Sequence, residues 1–441
     1  MSELTHKETG SPLNRVLRQR NFRLLWLGEG ISLLGDQFYL IALPWLVLTM
    51  KGDALAVGGV LAVAGIPRAL FMLIGGAVID RFSPRTVMLG SNLVRMAVVA
   101  LLAVLVFTGL IRIWGVYVIA LLFGVVDAFF FPAQSAIVPE IVEKEHLQIG
   151  NSIIHGTAQL SRFAGPVLAG VVIAFLGGAE GAYKAGGQQS PDMGGIAYAF
   201  GFDALTFLVS AITLHKMGMP KSGSESAQDH QRESVWADIR AGLLNVWRAA
   251  GLRTLFLLVM AINLLVNGPI LVGVPVLAGG QFSGGATAFG VLMSAYGGGN
   301  LLGVVLAGSM PRPSAKSMGA VLLATMGVLG CGVALLGFIS TVPFAVGILL
   351  VMGTANGYVS ILFVTWLQSQ IPQFMLGRLM SLLMFAAMGL NPISMALSGF
   401  FMKLYPSWTF GLAGAMMLTI VLLSALNPRV RNMEIGLSGI G

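Results

Sequence analysis

The sequence predicts an all-α integral membrane protein: twelve transmembrane helices in two pseudo-symmetric six-helix bundles, with both termini cytoplasmic. Three observations predict it. Of 441 residues, 56% are hydrophobic and only 10% charged, with a mean hydropathy of +0.85, whereas a soluble domain carries about 25% charged residues. The chain also repeats itself. At a fixed offset of 231 positions Asp36 meets Asn267, Pro44 meets Pro275, and Gly59-Val60-Leu61 meets Gly290-Val291-Leu292. At the same offset Ala64 meets Ala295, Arg81 meets Arg312, and Arg85 meets Lys316. Finally, most lysines and arginines fall on one side when the apolar runs are threaded through a bilayer. The runs are long and continuous, unlike the short alternating strands of a β-barrel.

The elements follow in order. Residues 1–21 are a polar, basic cytoplasmic segment. They lack the basic–apolar–small pattern of a cleaved signal peptide, so the first helix is expected to stay in the membrane. Apolar runs of roughly 20 residues cross a bilayer. Six of them, at 22–48, 54–79, 87–108, 113–133, 150–176 and 196–214, form an N-terminal bundle over 22–215. A glycine-rich loop at 177–195 is external. Residues 216–251 link the halves. Within them 221–233 read as a disordered tether. Residues 234–250 read as an interfacial helix, because Trp236, Ile239, Leu243 and Trp247 recur at helical spacing. The second bundle, 252–427, holds 252–278, 286–309, 318–339, 343–367, 378–401 and 408–426. The eleventh run is interrupted by Asn391-Pro392. Residues 428–441 are a cytoplasmic tail. With the N-terminus inside, the outside loops hold only Lys51, Arg112, Lys184 and Lys403.

This pattern excludes several classes. The net charge of +8 reflects topology rather than a nucleic-acid partner. The single cysteine, Cys331, permits no intramolecular disulfide and no cysteine metal cluster. There is no G-x4-G-K-[ST] loop for ATP, no zinc-protease motif and no G-x-S-x-G elbow. No enzyme, metal or cofactor is expected. A duplicated helix bundle of this kind is the pattern of a secondary transporter, whose halves rock about a central site. The expected energy source is the proton motive force.

Ionisable groups inside a span cost a few kcal/mol each on insertion scales. Here they are Glu29 and Asp36 in span 1, Arg68 in span 2, Arg95 in span 3, Asp127 in span 4, Arg162 in span 5 and Asp203 in span 6. All lie in the N-terminal half. Residues 239–433 contain no Asp or Glu, and amides stand at the counterpart positions: Asn267 for Asp36 and Asn356 for Asp127. Any proton-carrying carboxylate therefore belongs to the first half. By residue count Asp36, Arg68, Asp127 and Arg162 fall near mid-span, while Glu29, Arg95 and Asp203 fall nearer an interface, within reach of water or headgroups. Desolvation favours a neutral carboxyl and a nearby arginine favours a charged one, so moving the arginine loads a proton. Asp36, Asp127 and, as a cytoplasmic step, Glu29 are the proton-coupling candidates. Arg68, Arg162 and Arg95 are their charge partners. A static set of ion bridges is the alternative.

The loop after span 2 reads Gly76-Ala77-Val78-Ile79-Asp80-Arg81-Phe82-Ser83-Pro84-Arg85. It resembles the cytoplasmic motif G-x-x-x-D-R-x-G-R-K of the major facilitator superfamily, with Ser83 for the second glycine and Pro84 for the penultimate basic residue. The resemblance implies that Gly76 permits close helix approach and that Asp80 pairs across the interface of the halves. It implies that Arg81 and Arg85 hold the loop and the headgroup boundary. Gly35-Asp36 with Ala42-Leu43-Pro44 is similar to the first-helix motif of proton-coupled drug exporters. Gly156 and Gly165-Pro166-Val167-Leu168-Ala169-Gly170 are a partial match to the antiporter motif G-x8-G-x3-G-P-x2-G-G, which implies hinge or packing roles for Gly165, Pro166 and Gly170. The chain as a whole resembles the macrolide-efflux and enterobactin-exporter branch. The family's span-4 motif R-x-x-Q-G is absent, and Arg112 precedes that span.

In that superfamily spans 1, 4, 7 and 10 line the cavity. Here they would bring Tyr39, Gln134, Asn263, Asn267, Asn356 and Tyr358, with Phe129, Phe130 and Phe131. Few polar groups on an apolar wall suit a lipophilic or amphiphilic small molecule, cationic ones included. The expected function is a monomeric, multi-pass inner-membrane exporter of such molecules by proton antiport. A siderophore or lipid exporter, an uptake carrier, or a sensor or scaffold of the same fold are the alternatives.

Overall fold

A computed structural model describes residues 12–79, 82–177, 193–218, 250–282, 284–311, 313–370 and 373–426. No strand occurs among them. After a short helix, Pro12–Arg18, the first half comprises α1 (Arg20–Lys51), α2 (Ala54–Ile79), α3 (Pro84–Phe107), α4 (Ile113–Ile141), α5 (Leu147–Leu176) and α6 (Gly194–Lys216). The second half comprises α7, which begins at Ala250–Ile262 and ends at Val274–Gly280, then α8 (Gly285–Ser309), α9 (Ala315–Leu336), α10 (Val342–Gln370), α11 (Gln373–Leu404) and α12 (Pro406–Ala425). Among the described residues eleven helices are long and apolar enough to cross a membrane. The remaining expected span, 378–401, lies within helix α11. The tether and interfacial helix of the linker, and most of the loop after α5, fall outside the described residues.

The helices follow from composition and caps. Ser83 accepts a hydrogen bond from the Thr86 amide and Pro84 occupies the first turn, which starts α3. Gly52 ends α1 at φ 62, a left-handed cap natural to glycine. Phe175, Phe344 and Trp408 remain exposed, as lipid-facing surfaces do.

Two elements differ from expectation. Helix α4 runs to Ile141 instead of stopping at 133 and contains Pro132 and Pro139. Ile137 and Val138 of this extension are buried with Phe22, Leu25 and Leu214 in a second core. That burial outweighs the two missing N–H donors. Helix α7 is not one α-helix. Between its ends lie two π segments, Asn263–Asn267 and Pro269–Gly273. Pro269 removes a donor there, and Ser394 of α11 restores the balance. Its hydroxyl accepts from the Gly268 N–H (2.9 Å) and donates to the Leu264 carbonyl (2.6 Å).

The duplication is visible in the packing. Gly124 of α4 lies on the Ala64 carbonyl of α2, and Gly353 of α10 lies on the Tyr296 carbonyl of α8. The halves meet along two seams, α2 with α11 and α5 with α8. Both need small residues. A Cβ on Gly399 would stand 2.9 Å from the Gly58 Cα, and one on Gly170 would stand 3.1 Å from the Gly290 Cα.

Candidate functional site

Five helices of the first half deliver charge to one buried place. Asp127 of α4 is ion-paired through Oδ2 to Nη2 of Arg68 on α2 and through Oδ1 to Nη2 of Arg95 on α3. The two arginines are held very differently. Arg95 has 2% side-chain exposure and its guanidinium lies over Phe130 (4.1 Å), Phe207 (5.0 Å) and Phe123 (5.4 Å). Arg68 has 33% side-chain exposure and approaches one ring, Phe131, at 5.8 Å.

Glu29 of α1 is buried and accepts a hydrogen bond from Nε2 of Gln134 (2.6 Å). Asp203 of α6 has no exposed surface. It lies against the backbone of α1: a Cβ on Gly35 would stand 2.6 Å from its Oδ1. Arg95, Asp36 and Tyr39 are its charged and ionisable neighbours. Asp36 is half-buried and faces the charges of Arg95 and Arg68. Neither Glu29, Asp36 nor Asp203 forms an ion pair with a described residue. The site thus sets four carboxyls against two guanidiniums.

The expected reach of three residues to water or headgroups is corrected: the side chains of Glu29, Arg95 and Asp203 are buried within the helix bundle. Asp203, left out of the expected coupling set, stands in the same buried cluster. Arg162 is corrected too. It is exposed and faces Tyr296 of α8 rather than the carboxylates.

Beside the charge cluster lies a cavity of about 110 Å³. Its first-half wall is Tyr39, Leu40, Leu43, Leu61, Ala64, Gly65, Arg68, Ala69 and Phe123, and its second-half wall is Asn391, Pro392 and Met395. Tyr39 is stacked on Phe123 at 4.3 Å. Helices α2 and α11 therefore contribute as well as α1 and α4. The sequence signals for them were Arg68 and the Asn391-Pro392 interruption, neither of which was assigned to the cavity. The second half answers the charges with amides. Asn267 Nδ2 donates to Asn263 Oδ1 (2.9 Å) and to Asn391 Oδ1 (3.1 Å). Asn356 is half-buried on α10. Tyr358 is not in this cavity; it packs with Met318 and Leu362 against α9, because it stands two residues from Asn356, on another face of the helix.

Of the loop motif, Gly76 lies in the last turn of α2, which ends at Ile79, while Asp80 and Arg81 fall outside the described residues. Arg85 is tied to the end of α6. It donates from Nε to the Leu214 carbonyl (2.7 Å) and from Nη2 to the His215 carbonyl (2.6 Å), capping α6. Gly165 lies against Gln37 of α1. Pro166 and Gly170 lie on α8, where the Val167 amide donates to Ser294 Oγ (2.8 Å). The halves are further joined by Gln159 and Asn300 (3.2 Å), by Trp45 on Phe289 (6.5 Å), and by Lys403 with Asp53 (3.1 Å) beside the α1–α2 turn. Among the described residues no group of three His, Cys, Asp or Glu could hold a metal ion.

Residues 11–437 match the profile of one protein family, described as transmembrane secretion effector, within the major facilitator superfamily. The chain belongs to this family. This transporter is 27% identical over 374 residues to the multidrug efflux pump Tap of Mycolicibacterium fortuitum, covering 83% of this chain and 85% of the relative. It is 21% identical over 420 residues to macrolide efflux protein A of Streptococcus pyogenes, covering 94% and 97%. A solved variant of the nucleoside transporter NupG superposes with a TM-score of 0.72 at 11% identity, covering 91% of this chain and 98% of that one. A bacterial homologue of the iron transporter ferroportin, in an inward-facing state, superposes at 0.67 with 17% identity, covering 92% and 98%. At these identities the two structures show the fold alone. The transporter is a multi-pass membrane protein and not an enzyme.

Proposed function

We propose that this transporter exports lipophilic or amphiphilic small molecules by proton antiport with alternating access. The observation that carries the reading is the imbalance of the buried cluster: among the described residues, Glu29, Asp36, Asp127 and Asp203 face two cations, Arg68 and Arg95. Holding four carboxylates in a low-dielectric site with two cations is costly. Exchanging protons with one side of the membrane and then the other relieves that cost. Asp36 is the coupling residue of choice, since it is half-buried and has no ion-pair partner among the described residues. The cavity beside it is apolar apart from Tyr39, Arg68 and Asn391, which suits an apolar body with few polar groups. Multidrug efflux by Tap and macrolide efflux by macrolide efflux protein A support outward transport of such compounds.

The test is dye and antibiotic accumulation in pump-deficient cells expressing the wild type or Asp36→Asn, with and without an uncoupler. Wild type is expected to lower accumulation, and both the substitution and the uncoupler to restore it. A well-expressed wild type that changes no compound's accumulation rejects drug export. Export that survives the uncoupler rejects proton coupling.

A further inference from the structure

The two arginines on Asp127 divide into a fixed one and a movable one. Arg95 is enclosed, with three aromatic faces around its guanidinium. Arg68 lines the cavity and is held there by Asp127 and the more distant Phe131 ring. We infer that Arg68 couples proton loading to substrate release: when Asp127 takes up a proton, Arg68 leaves it, turns into the cavity and displaces what lies there.

The argument is one of unequal restraint. A proton on Oδ2 of Asp127, the oxygen that faces Arg68, removes the negative charge shared by both arginines, while Oδ1 still accepts from Arg95. Arg95 cannot leave, because every direction is filled by protein. Arg68 has open space on one side, and its side-chain torsions suffice to carry the guanidinium there. Arriving, it fills part of a cavity of only about 110 Å³ and brings a positive charge to an apolar wall. When the proton leaves, Arg68 returns to Asp127 and the cavity is free again. Proton and substrate then exclude one another, which is the linkage antiport requires.

The other charged or titratable groups around Asp127 are Glu29, Asp36 and Tyr39 on α1, Arg95 on α3 and Asp203 on α6. Helix α5 presents His155 and Arg162, both exposed. None of these lines the cavity except Tyr39. A released arginine that reaches the substrate space is therefore Arg68. This inference rests on the antiport reading above, and its test is built to fail separately from it.

The experiment needs no substrate. Cys331 is exposed, so it is first changed to serine, and Leu61→Cys supplies a reporter on the cavity wall, two turns from Arg68 on the same face of α2. In purified protein the labelling rates of a cationic reagent, trimethylammonium-ethyl methanethiosulfonate, and a neutral one, methyl methanethiosulfonate, are compared. Asp127→Asn, which mimics the loaded state, is expected to lower the cationic-to-neutral rate ratio by about tenfold. Adding Arg68→Met should restore the ratio, and adding Arg68→Lys should not. In the Asp127 parent, acidification should lower the ratio; in Arg68→Met it should lower it clearly less, by the share that protonation of Asp36 alone contributes. Binding of rhodamine 6G should follow the same pattern: weak in Asp127→Asn, regained in the double variant. A ratio that ignores Asp127→Asn, or a double variant that stays low, overturns the inference. If rhodamine 6G is neither bound nor exported by the wild type, the export reading suffers, while the labelling ratios still decide the role of Arg68.

Discussion

Asp127 and Asp36 sit in the same cluster but carry different loads. Asp127 neutralises Arg95, which is enclosed by Phe123, Phe130 and Phe207. Removing it leaves a buried cation unpaired, a loss of about 3–5 kcal/mol in comparable cases. Asp36 is half-buried without an ion pair to a described residue, so its replacement by the neutral amide should cost clearly less than the loss of Asp127. Thermal unfolding of purified protein should therefore show Asp127→Ala strongly destabilised and Asp36→Asn clearly less so, although Asp36→Asn has lost coupled export. Equal destabilisation of the two would mean that Asp36 is a structural partner after all. Gly35 gives a second test at this scale. A methyl group there would press on Asp203 Oδ1 at 2.6 Å and on the Thr206 hydroxyl. Overpacking of this kind costs about 1–3 kcal/mol. Gly35→Ala should lower the unfolding midpoint and reduce export, and an unchanged midpoint would show that Asp203 is free to move away from α1.

At the scale of elements, helix α7 is where chain and structure diverge most. The sequence marks its position by hydropathy, and Pro269 and Pro275 are visible in it. What the sequence does not display is that Ser394, more than a hundred residues away, stands ready to satisfy Gly268 and Leu264. Long-range pairing of this kind is invisible to periodicity, which reports one helix at a time. The same limit explains the cavity. Tyr39 could be named from its own helix, but Asn263 and Asn267 reach the cavity only through Asn391, and the participation of Arg68 and Asn391 depends on how α2 meets α11. Arg162, by contrast, was misplaced because its facing was not legible: it looks toward Tyr296 of α8 and not toward the carboxylates. Length and hydropathy mark a span, whereas facing depends on neighbours. Hence the spans, the repeat and the first-half location of the charges were legible, and the partners were not. Ser394→Ala tests the element directly. It strands one donor and one acceptor beside the π segments, a loss of about 1–3 kcal/mol per buried group. Lower thermal stability with Asn267 and Asn391 intact is expected; wild-type stability would mean that α7 relaxes to an ordinary helix without help.

For the whole molecule, the question is what keeps the halves together on the face that carries the α1–α2 turn. Three kinds of contact are available there: the ion pair of Asp53 with Lys403, Trp45 on Phe289, and backbone against backbone at Gly58–Gly399 and Gly170–Gly290. Their magnitudes differ. Side-chain exposures of 50% for Lys403 and 27% for Asp53 mark a solvent-screened pair worth about 0–1 kcal/mol, a factor of five at most in the population of the closed arrangement. The glycine seams act by shape, and a leucine at Gly290 has no room against the Pro166 carbonyl and Gly170. Leu48, across from Gly279 of α7, can report the difference. With Cys331→Ser and Leu48→Cys, labelling by a membrane-impermeant maleimide should rise less than about fivefold in Asp53→Asn. The reversed pair Asp53→Lys with Lys403→Asp should return it to the parent value. Gly290→Leu should raise labelling toward that of an exposed cysteine and abolish export, because the seam cannot re-form once opened. If Asp53→Asn alone gave full labelling, the ion pair and not the glycine seam would be the gate, and the close approach of the helices would be a consequence of closure instead of its cause.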